Sequence, residues 1–334
     1  MKIKTFAAAC LAVVLPLSAC GRNATESVSS GGSEGGSHEE PKYRSVQLLQ
    51  DQGFRKGFSL RGLNSATDSG VCKTIDYGNG ANRPVWTLAQ WWSKYNLKDG
   101  VETNENGVYS LRDESKSFVY DSVGQTVTLE LDGSKEFDSV NLVPPTMWPH
   151  LLIEQSVEGL YWLKDADEVR ASLKFTINRS ENLRGGNQGC HAQFAWFIYV
   201  VDKNPDSDGY GNFLWFGLNL FDSTKIYTQG TAQQDTAGGP GNFIYSLGSQ
   251  ELFTQRVRVG ESAEMDIDLK LYVAEALATA QSKGFMLNTE VDDCVITGTN
   301  LGWEVFDRFD VSVTIEKMGI EYRTFDESIM EGKI

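Results

Sequence analysis

The chain has 334 residues, of which 45 are acidic and 30 are Lys or Arg, and its formal net charge is −15. This acidic balance argues against nucleic acid or anionic lipid headgroups as partners, because both need basic patches on a protein. The acidic net charge is compatible with a neutral glycan as ligand and does not argue against a cationic one.

Residues 1–20 form the clearest local signal in the sequence. Lys2 and Lys4 precede an apolar run that ends in small residues and a cysteine, and the run is too short to span a bilayer as a stable helix. We therefore predict a secretory signal peptide. Its last four residues, Leu17 to Cys20, resemble the lipobox of bacterial lipoproteins. The alternative is an ordinary cleaved signal with a chance cysteine.

The lipobox resemblance implies cleavage before Cys20 and acylation of its thiol and of its new amine. Several acyl chains on one residue anchor a protein stably, whereas a single chain binds a membrane only marginally. Gly21 follows the cysteine, and by resemblance to enteric lipoproteins the absence of Asp there favours the outer membrane. Removing residues 1–20 removes two lysines and no acid, which takes the formal net charge from −15 to −17.

The next segment, residues 21–41, is rich in Gly, Ser and Glu and has almost no apolar side chain, so it cannot bury enough surface to fold. We predict a flexible tether with a reach of roughly 25 Å. Residues 42–323 contain no Pro/Gly-rich break, charge run or internal repeat. We therefore predict a single domain over residues 42–334.

That domain is rich in short runs of Val, Ile, Phe, Tyr and Trp bounded by Gly, Asn and Asp, the pattern typical of β-strands. The predicted strand segments are 117–133 (two strands and a turn), 146–156, 168–179, 191–203, 211–223, 241–247, 254–260 and 307–322. Residues 224–241 are polar and Gly-rich and are predicted as a long loop that reaches over a ligand or is simply mobile.

A single segment, 268–284, has apolar residues at helical spacing, with Asp268 as a cap and Lys283-Gly284 as a stop. Residues 88–95 are a candidate for a short second helix. Many strands with an inserted helix predict an all-β fold, a jelly-roll-type (concanavalin-like) sandwich of two sheets. A parallel α/β fold is excluded because helices between most strands are absent.

The stretch Thr146 to Ser156 carries polar side chains on one face of a predicted strand. Residues two apart share a face, so Trp148, His150 and Glu154 point away from the core-like Ile153.

Three other segments show a similar arrangement. The candidate binding residues in them lie opposite an apolar face or next to a turn: His191, Gln193, Trp215, Asn219, Asp222, Trp303 and Glu304. Asp222 has the parity of the apolar set but is expected to lie past the end of its strand, and Trp303 and Glu304 are expected just after a turn.

Aromatic rings stack on the apolar faces of sugars, and amides and carboxylates bond to hydroxyls. We therefore predict that these residues line a concave groove that binds a polysaccharide or oligosaccharide. The alternative is a purely structural role, in which these polar side chains lie in the core or at its rim and form hydrogen bonds within the protein.

Two further alternatives stay open. In a carbohydrate-active enzyme, Glu154 with Glu304 or Asp222 would be the acid and base of a hydrolase, given carboxylates roughly 5–10 Å apart. In a lyase, His150 or His191 would abstract a proton. The last alternative is an assembly lipoprotein that binds no small ligand.

Two features of the sequence bear on metal binding and on disulfide formation. Asn204, Asp206 and Asp208 alternate before a glycine as in the first half of a calcium loop, although a turn needs the same residue types. No cofactor is required, and Ca²⁺ is the only candidate. Beyond Cys20 and the signal peptide three cysteines remain, so at most one disulfide forms; we favour buried free thiols.

Residues 85–322 resemble uncharacterised bacterial secreted and surface proteins of jelly-roll type, through segments such as "WPHLLIEQ", "AQFAWF" and "LWFGLNLFD". Residues 179–184 also resemble the Arg-Ser-Glu-x-Arg strand of jelly-roll alginate lyases. Here an extra residue places Arg184 on the opposite parity from Arg179 and Glu181, and the family's Gln-x-His triplet is reversed. The lyase activity therefore does not carry over.

Overall fold

The computed structural model describes residues 43–65, 67–80, 83–138, 148–185, 189–235 and 242–325. The predicted signal peptide, Cys20 and the tether lie outside these residues, so lipid anchoring stays a prediction. Within the described ranges, no helix is long and apolar enough to cross a membrane.

Strands dominate the described chain. The seventeen strands, numbered in chain order, are β1 Tyr43–Gln47, β2 Phe58–Arg61, β3 Val71–Ile75, β4 Trp86–Ala89, β5 Val101–Glu105, β6 Val108–Arg112, β7 Lys116–Asp121, β8 Thr126–Asp132, β9 His150–Ser156, β10 Glu168–Asn182, β11 His191–Asp202, β12 Phe213–Asp222, β13 Thr231–Gln234, β14 Phe243–Leu247, β15 Ser262–Asp268, β16 Cys294–Phe306 and β17 Phe309–Phe325.

The helices are few and mostly short. The α-helices are α1 Gly133–Glu136, α2 Ser249–Leu252 and α3 Leu269–Ser282, and the 3₁₀ turns are Leu97–Asp99, Leu163–Asp165 and Val291–Asp293.

The strands form two sheets. One has eight strands in the order β15-β10-β17-β8-β7-β6-β5, with β1 paired to β17 as well. The other has nine strands in the order β13-β14-β12-β11-β16-β9-β4-β2-β3. Most pairs are antiparallel, and the pairs β12–β14 and β2–β4 are parallel. The predicted all-β sandwich of jelly-roll type is confirmed.

A single apolar core lies between the two sheets. It is built by alternation, since every second side chain of each long strand points inward. On β9 the inward residues Leu151 and Ile153 are fully buried, and on β11 Phe194, Trp196 and Ile198 are fully buried. The alternation read from the sequence therefore assigned both strands the correct core face.

The predicted inserted helix is confirmed as α3. The carboxylate of Asp268 accepts a hydrogen bond from the backbone N–H of Lys270 at 3.1 Å, which satisfies a donor that a helix start leaves open. The helix ends at Ser282 with Lys283 as its C-cap, and Gly284 follows with a φ of +85°, a conformation that favours glycine.

Three local predictions were wrong. Residues 88–95 are the end of β4 and a turn rather than a helix, and Trp92 adopts a φ of +60° that no helix allows. Residues 254–260 form no strand. Part of the expected loop 224–241 is the edge strand β13, which pairs with β14. In each case tertiary pairing overrode a weak local pattern.

Cys72, Cys190 and Cys294 are free, and the last two are buried, as the sequence favoured. Burial raises the pKa of the Cys190 thiol to about 11 and that of the Cys294 thiol to about 12. These thiols are therefore protonated and unreactive at neutral pH.

Candidate functional site

The nine-stranded sheet has one face toward the core and one away from it; we call the second the polar face. Strand pairing aligns side chains of neighbouring strands into rows that run across the sheet. An upper row contains His150, Glu304, Gln193 and Asp222, on β9, β16, β11 and β12 in turn. A lower row contains Thr87, Glu154, Asn300, Phe197 and Gly217.

Between these rows lies a third row with smaller side chains at its centre. Gly302 and Ala195 form that centre, with Leu152 on one side and Asn219 on the other. The upper and lower rows are four residues apart along β9, β16 and β11, about 13 Å at the rise of a β-strand, and five residues apart along β12. The result is a strip with a low centre and polar walls, which we call the trough.

Asp222 reaches the polar face through a β-bulge. Phe194 pairs with Phe221 while Ala195 pairs with Asn219, so Leu220 is an extra residue on β12. The bulge shifts the parity of the strand, and Asp222 pairs with Gln193 on the polar face. Asp222 therefore lies within β12 rather than past its end as expected, and the bulge explains why its parity in the sequence matches the apolar set. Its carboxylate also accepts hydrogen bonds from the backbone N–H and the hydroxyl of Thr224, which fixes the following turn.

His150 and Glu304 are partners in the upper row. His150 Nε2 lies 3.6 Å from Glu304 Oε1, and the side chains are 18% and 26% exposed. Burial is the largest single influence on the pKa of His150 and lowers it, but the charge and hydrogen bond of Glu304, together with backbone hydrogen bonds, outweigh it and the pKa is raised. Burial likewise is the largest influence on the pKa of Glu304 and raises it, but the charge and hydrogen bond of His150, together with the charge of His191, outweigh it and the pKa is lowered. The pair favours a charged imidazolium beside a carboxylate.

The pKa of Glu154, in the lower row, is displaced in the opposite direction from that of Glu304. Burial raises its pKa above the usual range, and a hydrogen bond from Trp91 and the charges of Arg61 and His150 offset only part of that rise. Trp91 Nε1 donates to Glu154 Oε1 at 3.3 Å. Two carboxyl groups on one face thus have pKa values displaced in opposite directions, a pattern seen in acid–base pairs of enzymes.

Aromatic side chains lie at both ends of the polar face. Near the start of β9 and β11, Trp148 packs edge-on against His191 with ring centroids 5.1 Å apart, and Phe306 lies beside both rings. At the other end is a group that we call the aromatic patch. Its members, all half-buried, are Phe197, Tyr199, Phe213 and Trp215.

The structure brings most of the predicted residues together on this face. Those that it places there are Trp148, His150, Glu154, His191, Gln193, Trp215, Asn219, Asp222 and Glu304. Trp303 is the exception, because it lies within the long strand β16 rather than after a turn. Its side chain points into the core and is 0% exposed, so its assignment as a ligand-binding residue was wrong.

Two neighbours on the face, Trp91 and Asn300, were missed by sequence reasoning. Trp91 follows β4 and folds toward Glu154, while Asn300 donates from Nδ2 to the hydroxyl of Tyr199 at 3.0 Å. Alternation along β16 from Glu304 would have found Asn300, had the strand been recognised back to Cys294. Nothing in the local pattern around Trp91 indicates its contact.

Arg179 and Glu181, which resemble part of an alginate-lyase strand, lie on β10 in the other sheet. Arg179 Nε is 2.7 Å from Asp310 Oδ2, and its guanidinium also faces Glu130. These residues form an ion-pair network remote from the polar face, and they take no part in the site.

The predicted calcium loop is a turn with internal hydrogen bonds. Asn204 donates from Nδ2 to Asp293 Oδ1 at 2.5 Å and accepts from the backbone N–H of Asp206 at 3.1 Å. Across the described ranges no group of three or more His, Cys, Asp or Glu residues could hold a metal ion. Calcium at Asn204, Asp206 and Asp208 stays a prediction.

Two cavities lie away from the trough. The larger, about 280 Å³, is lined by Arg55, Asp76, Tyr77, Asn79, Asn104, Gly107, Tyr109, Tyr120 and Ser122. The smaller, about 160 Å³, is lined by Gly211, Asn212, Phe213, Asn242, Phe243, Phe285 and Met286. Only the smaller contacts the polar face, through Phe213 of the aromatic patch.

No protein-family profile and no curated protein matches the chain. Among solved structures it is similar to a cellulase derived from that of Rhodothermus marinus, at 12% identity over 70% of this chain and 98% of the other, with a TM-score of 0.37. It is also similar to a family 12 xyloglucanase from Bacillus licheniformis, at 12% identity over 66% and 96%, with a TM-score of 0.38.

A third likeness is to the xyloglucanase domain of an effector from Sinorhizobium fredii, in complex with cellobiose. It has 11% identity over 66% of this chain and 95% of the other, with a TM-score of 0.36. Likenesses this distant identify no family and no substrate for this chain. The sandwich fold rests on its own strand pairing.

Proposed function

We propose that the polar face binds a polysaccharide or oligosaccharide whose chain lies across the strands in the trough. The observation that carries this proposal is the low centre at Gly302 and Ala195 between two rows of polar side chains. A sugar chain there would have amides and carboxylates on both sides, able to donate to and accept from its hydroxyls.

The charges on the face favour a chain without negative groups. Glu154, Glu304 and Asp222 contribute carboxylates, while Arg61 and the His150 imidazolium are the opposing cations. A uronate-rich glycan would place its carboxylates against those of the trough, and like charges at close range repel. This argues for a neutral or cationic glycan and against the lyase alternative, which acts on uronates.

Hydrolysis is the second candidate, favoured by the opposed pKa displacements of Glu154 and Glu304. The protonated Glu154 would donate a proton to the glycosidic oxygen, and the ionised Glu304 would activate water from the opposite wall. His150 would hold Glu304 in its charged form.

The strand register limits the stereochemistry of that reaction. Glu154 and Glu304 are offset by one strand and four residues, about 13 Å along the strand. With a strand spacing of about 4.8 Å the two Cα atoms are about 14 Å apart, and each side chain spans about 4 Å from Cα to the carboxyl carbon, so the carboxyl groups approach no closer than about 6 Å. This lower limit exceeds the roughly 5 Å of a double displacement and is compatible with the separation of about 6.5–9.5 Å for a single displacement by water. Hydrolysis at this site would invert the anomeric centre.

The test uses the full-length protein in mild detergent with a panel of neutral, cationic and uronate polysaccharides. Retention in affinity electrophoresis and release of reducing ends are scored together. We expect retention by a neutral or cationic member, loss of turnover in Glu154→Gln and in Glu304→Gln, and no change in Glu316→Gln, whose carboxylate lies on the other sheet.

The outcomes separate the candidates. If a polysaccharide is retained but no product is released, the protein binds the glycan without hydrolysing it. If the product keeps the anomeric configuration of the substrate, Glu154 and Glu304 are not the acid and base. If no polysaccharide is retained, the proposal is overturned, and the alternative of an assembly lipoprotein that binds no small ligand is favoured.

We also propose that Cys20 carries the lipid that anchors the protein to a membrane. The support is the lipobox of residues 17–20 and the low-apolar tether that follows it. Metabolic labelling with a clickable fatty acid should mark the wild-type chain and not Cys20→Ser. Equal labelling of the two proteins would refute the anchor.

A further inference from the structure

The aromatic patch lies on the polar face next to the trough, and apart from Phe197, which belongs to the lower row, it lies outside the trough. Tyr199 pairs with Trp215 on β11 and β12, whereas the trough crosses the same strands at Ala195 and Asn219. The offset on β11 is four residues, about 13 Å along the strand. A linear sugar chain lying across the strands in the trough would therefore pass Trp215 without touching it.

The patch is built as a surface rather than as part of the core. The rings of Tyr199 and Phe213 stand edge-on to Trp215, with centroids 4.8 and 4.9 Å from it. All four side chains of the patch are only partly buried, on the face that points away from the core. Aromatic surface next to a polar strip is the composition of a sugar-stacking platform.

A direct contact joins the patch to the wall of the trough. Asn300 Nδ2, in the lower row, donates to the hydroxyl of Tyr199. Phe197 belongs to both, since it pairs with Asn300 in the lower row and its ring lies 6.0 Å from that of Trp215. A ligand group leaving the trough at Asn300 would thus pass onto aromatic rings.

Two more features show room and hydrogen-bonding capacity for a ligand at the patch. Phe213 also lines the cavity of about 160 Å³, together with the polar side chains of Asn212 and Asn242. Trp215 Nε1 is buried and has no hydrogen-bond partner among the described residues. An indole N–H without an acceptor is costly, and because the atom is buried a ligand hydroxyl would bond to it only once the Trp215 ring turns toward the ligand.

From this arrangement we infer that the ligand is a branched glycan, whose backbone lies in the trough and whose branch covers the aromatic patch. The inference rests on the proposed function, because it takes the trough as the path of the backbone. It adds the substrate class: a backbone that carries single-sugar or short branches.

The test measures affinity by isothermal titration for matched pairs of probes. Each pair is a linear glucan, mannan or xylan oligosaccharide and its counterpart of the same backbone length with one-sugar branches. We expect a branched member to bind about tenfold more tightly than its linear partner, since a well-stacked ring contributes on the order of 1.4 kcal/mol.

Variants identify the patch as the cause of that preference. Trp215→Ala should remove the preference for the branched member and leave affinity for the linear one unchanged, whereas Trp215→Phe should keep most of it. Tyr43→Ala, on the other sheet, is the matched control. A thermal melt of each variant checks that the fold persists.

The experiment distinguishes failure of the branched-ligand inference from failure of the proposed function. Equal affinity for linear and branched members, or an equal loss for both in Trp215→Ala, overturns the branched-ligand inference and leaves the proposed function standing. Binding of no member of any pair overturns both.

Discussion

His150 on β9 and Glu304 on β16 face each other across the strand pairing, with Nε2 and Oε1 3.6 Å apart. The pKa of His150 is raised and that of Glu304 is lowered, so the pair stabilises the folded state when the imidazole is charged and the carboxyl is ionised. The contribution of His150 is present below its ordinary pKa of 6.5 and is lost as pH rises through the raised value. The contribution of Glu304 is present above its ordinary pKa of 4.5 and is lost as pH falls through the lowered value.

We therefore predict that His150→Gln loses the most unfolding free energy, relative to wild type, between pH 4.5 and 6.5. The difference should shrink as pH rises above 6.5 through the raised pKa of His150. The measurement is urea unfolding of both proteins at a series of pH values. In a Glu304→Gln background the larger loss between pH 4.5 and 6.5 should disappear, because burial then lowers the pKa of His150 without the opposing charge of Glu304. A pH-independent loss in both backgrounds would mean that His150 acts by packing alone.

Replacing Trp303 should reduce mainly stability and replacing Trp215 mainly glycan affinity, because the two side chains point to opposite faces of the same sheet. Trp303 is fully buried in the core, and Trp303→Ala should cost about 3–5 kcal/mol of unfolding free energy. Trp215→Ala should cost less, since half-buried side chains leave smaller cavities. Chemical denaturation beside glycan affinity separates the two roles. An affinity loss in folded Trp303→Ala equal to that in Trp215→Ala would contradict the assignment.

Removing one partner of a buried ion pair should be strongly destabilising. Lys116 Nζ lies 3.0 Å from Asp113 Oδ2 and 3.5 Å from Glu136 Oε1, and the Lys116 side chain is 0% exposed. Its ammonium also donates to the hydroxyl of Ser93 and to the carbonyl of Tyr95. Lys116→Met should cost about 3–5 kcal/mol, because it leaves buried carboxylates without a counter-charge.

The matched control is Lys174→Met. Lys174 Nζ lies 2.7 Å from Glu316, but the lysine side chain is 41% exposed, so the loss should stay below about 1 kcal/mol. Adding Glu136→Gln to Lys116→Met should recover part of the stability, as judged by urea denaturation. No recovery would show that the packing of the lysine stem, and not the unpaired charge, sets the cost.

Asp268 should tie α3 to the eight-stranded sheet. Its Oδ1 accepts from the N–H of Lys270 and, at 3.0 Å, from the N–H of Val169 on β10. Asp268→Ala should cost about 1–2 kcal/mol and Asp268→Asn less, since an amide oxygen still accepts both bonds. Asp266→Ala, two residues earlier and half-exposed, should cost little. Thermal unfolding compares the three, and an equal loss at both positions would rule out the cap as the cause.

Some of this architecture could be predicted from residues close together in the chain. The alternation of Leu151 and Ile153 with His150 and Glu154 defines the two faces of β9, and α3 carries its cap and its glycine within a few residues of its ends. These signals are local because side-chain direction follows from the backbone period alone. They were sufficient for the fold class and for placing most site residues on one face.

Which residues meet across the sheet was decided only by the tertiary structure. His150 lies beside Glu304 because β9 pairs with β16, and no local pattern specifies a partner so distant in the chain. The bulge at Leu220 returns Asp222 to the polar face, and the length of β16 buries Trp303. Register and bulges depend on the summed packing of all neighbouring strands, whereas alternation depends on one strand alone. The sequence therefore determined the faces, and the packing of the sheets determined the site.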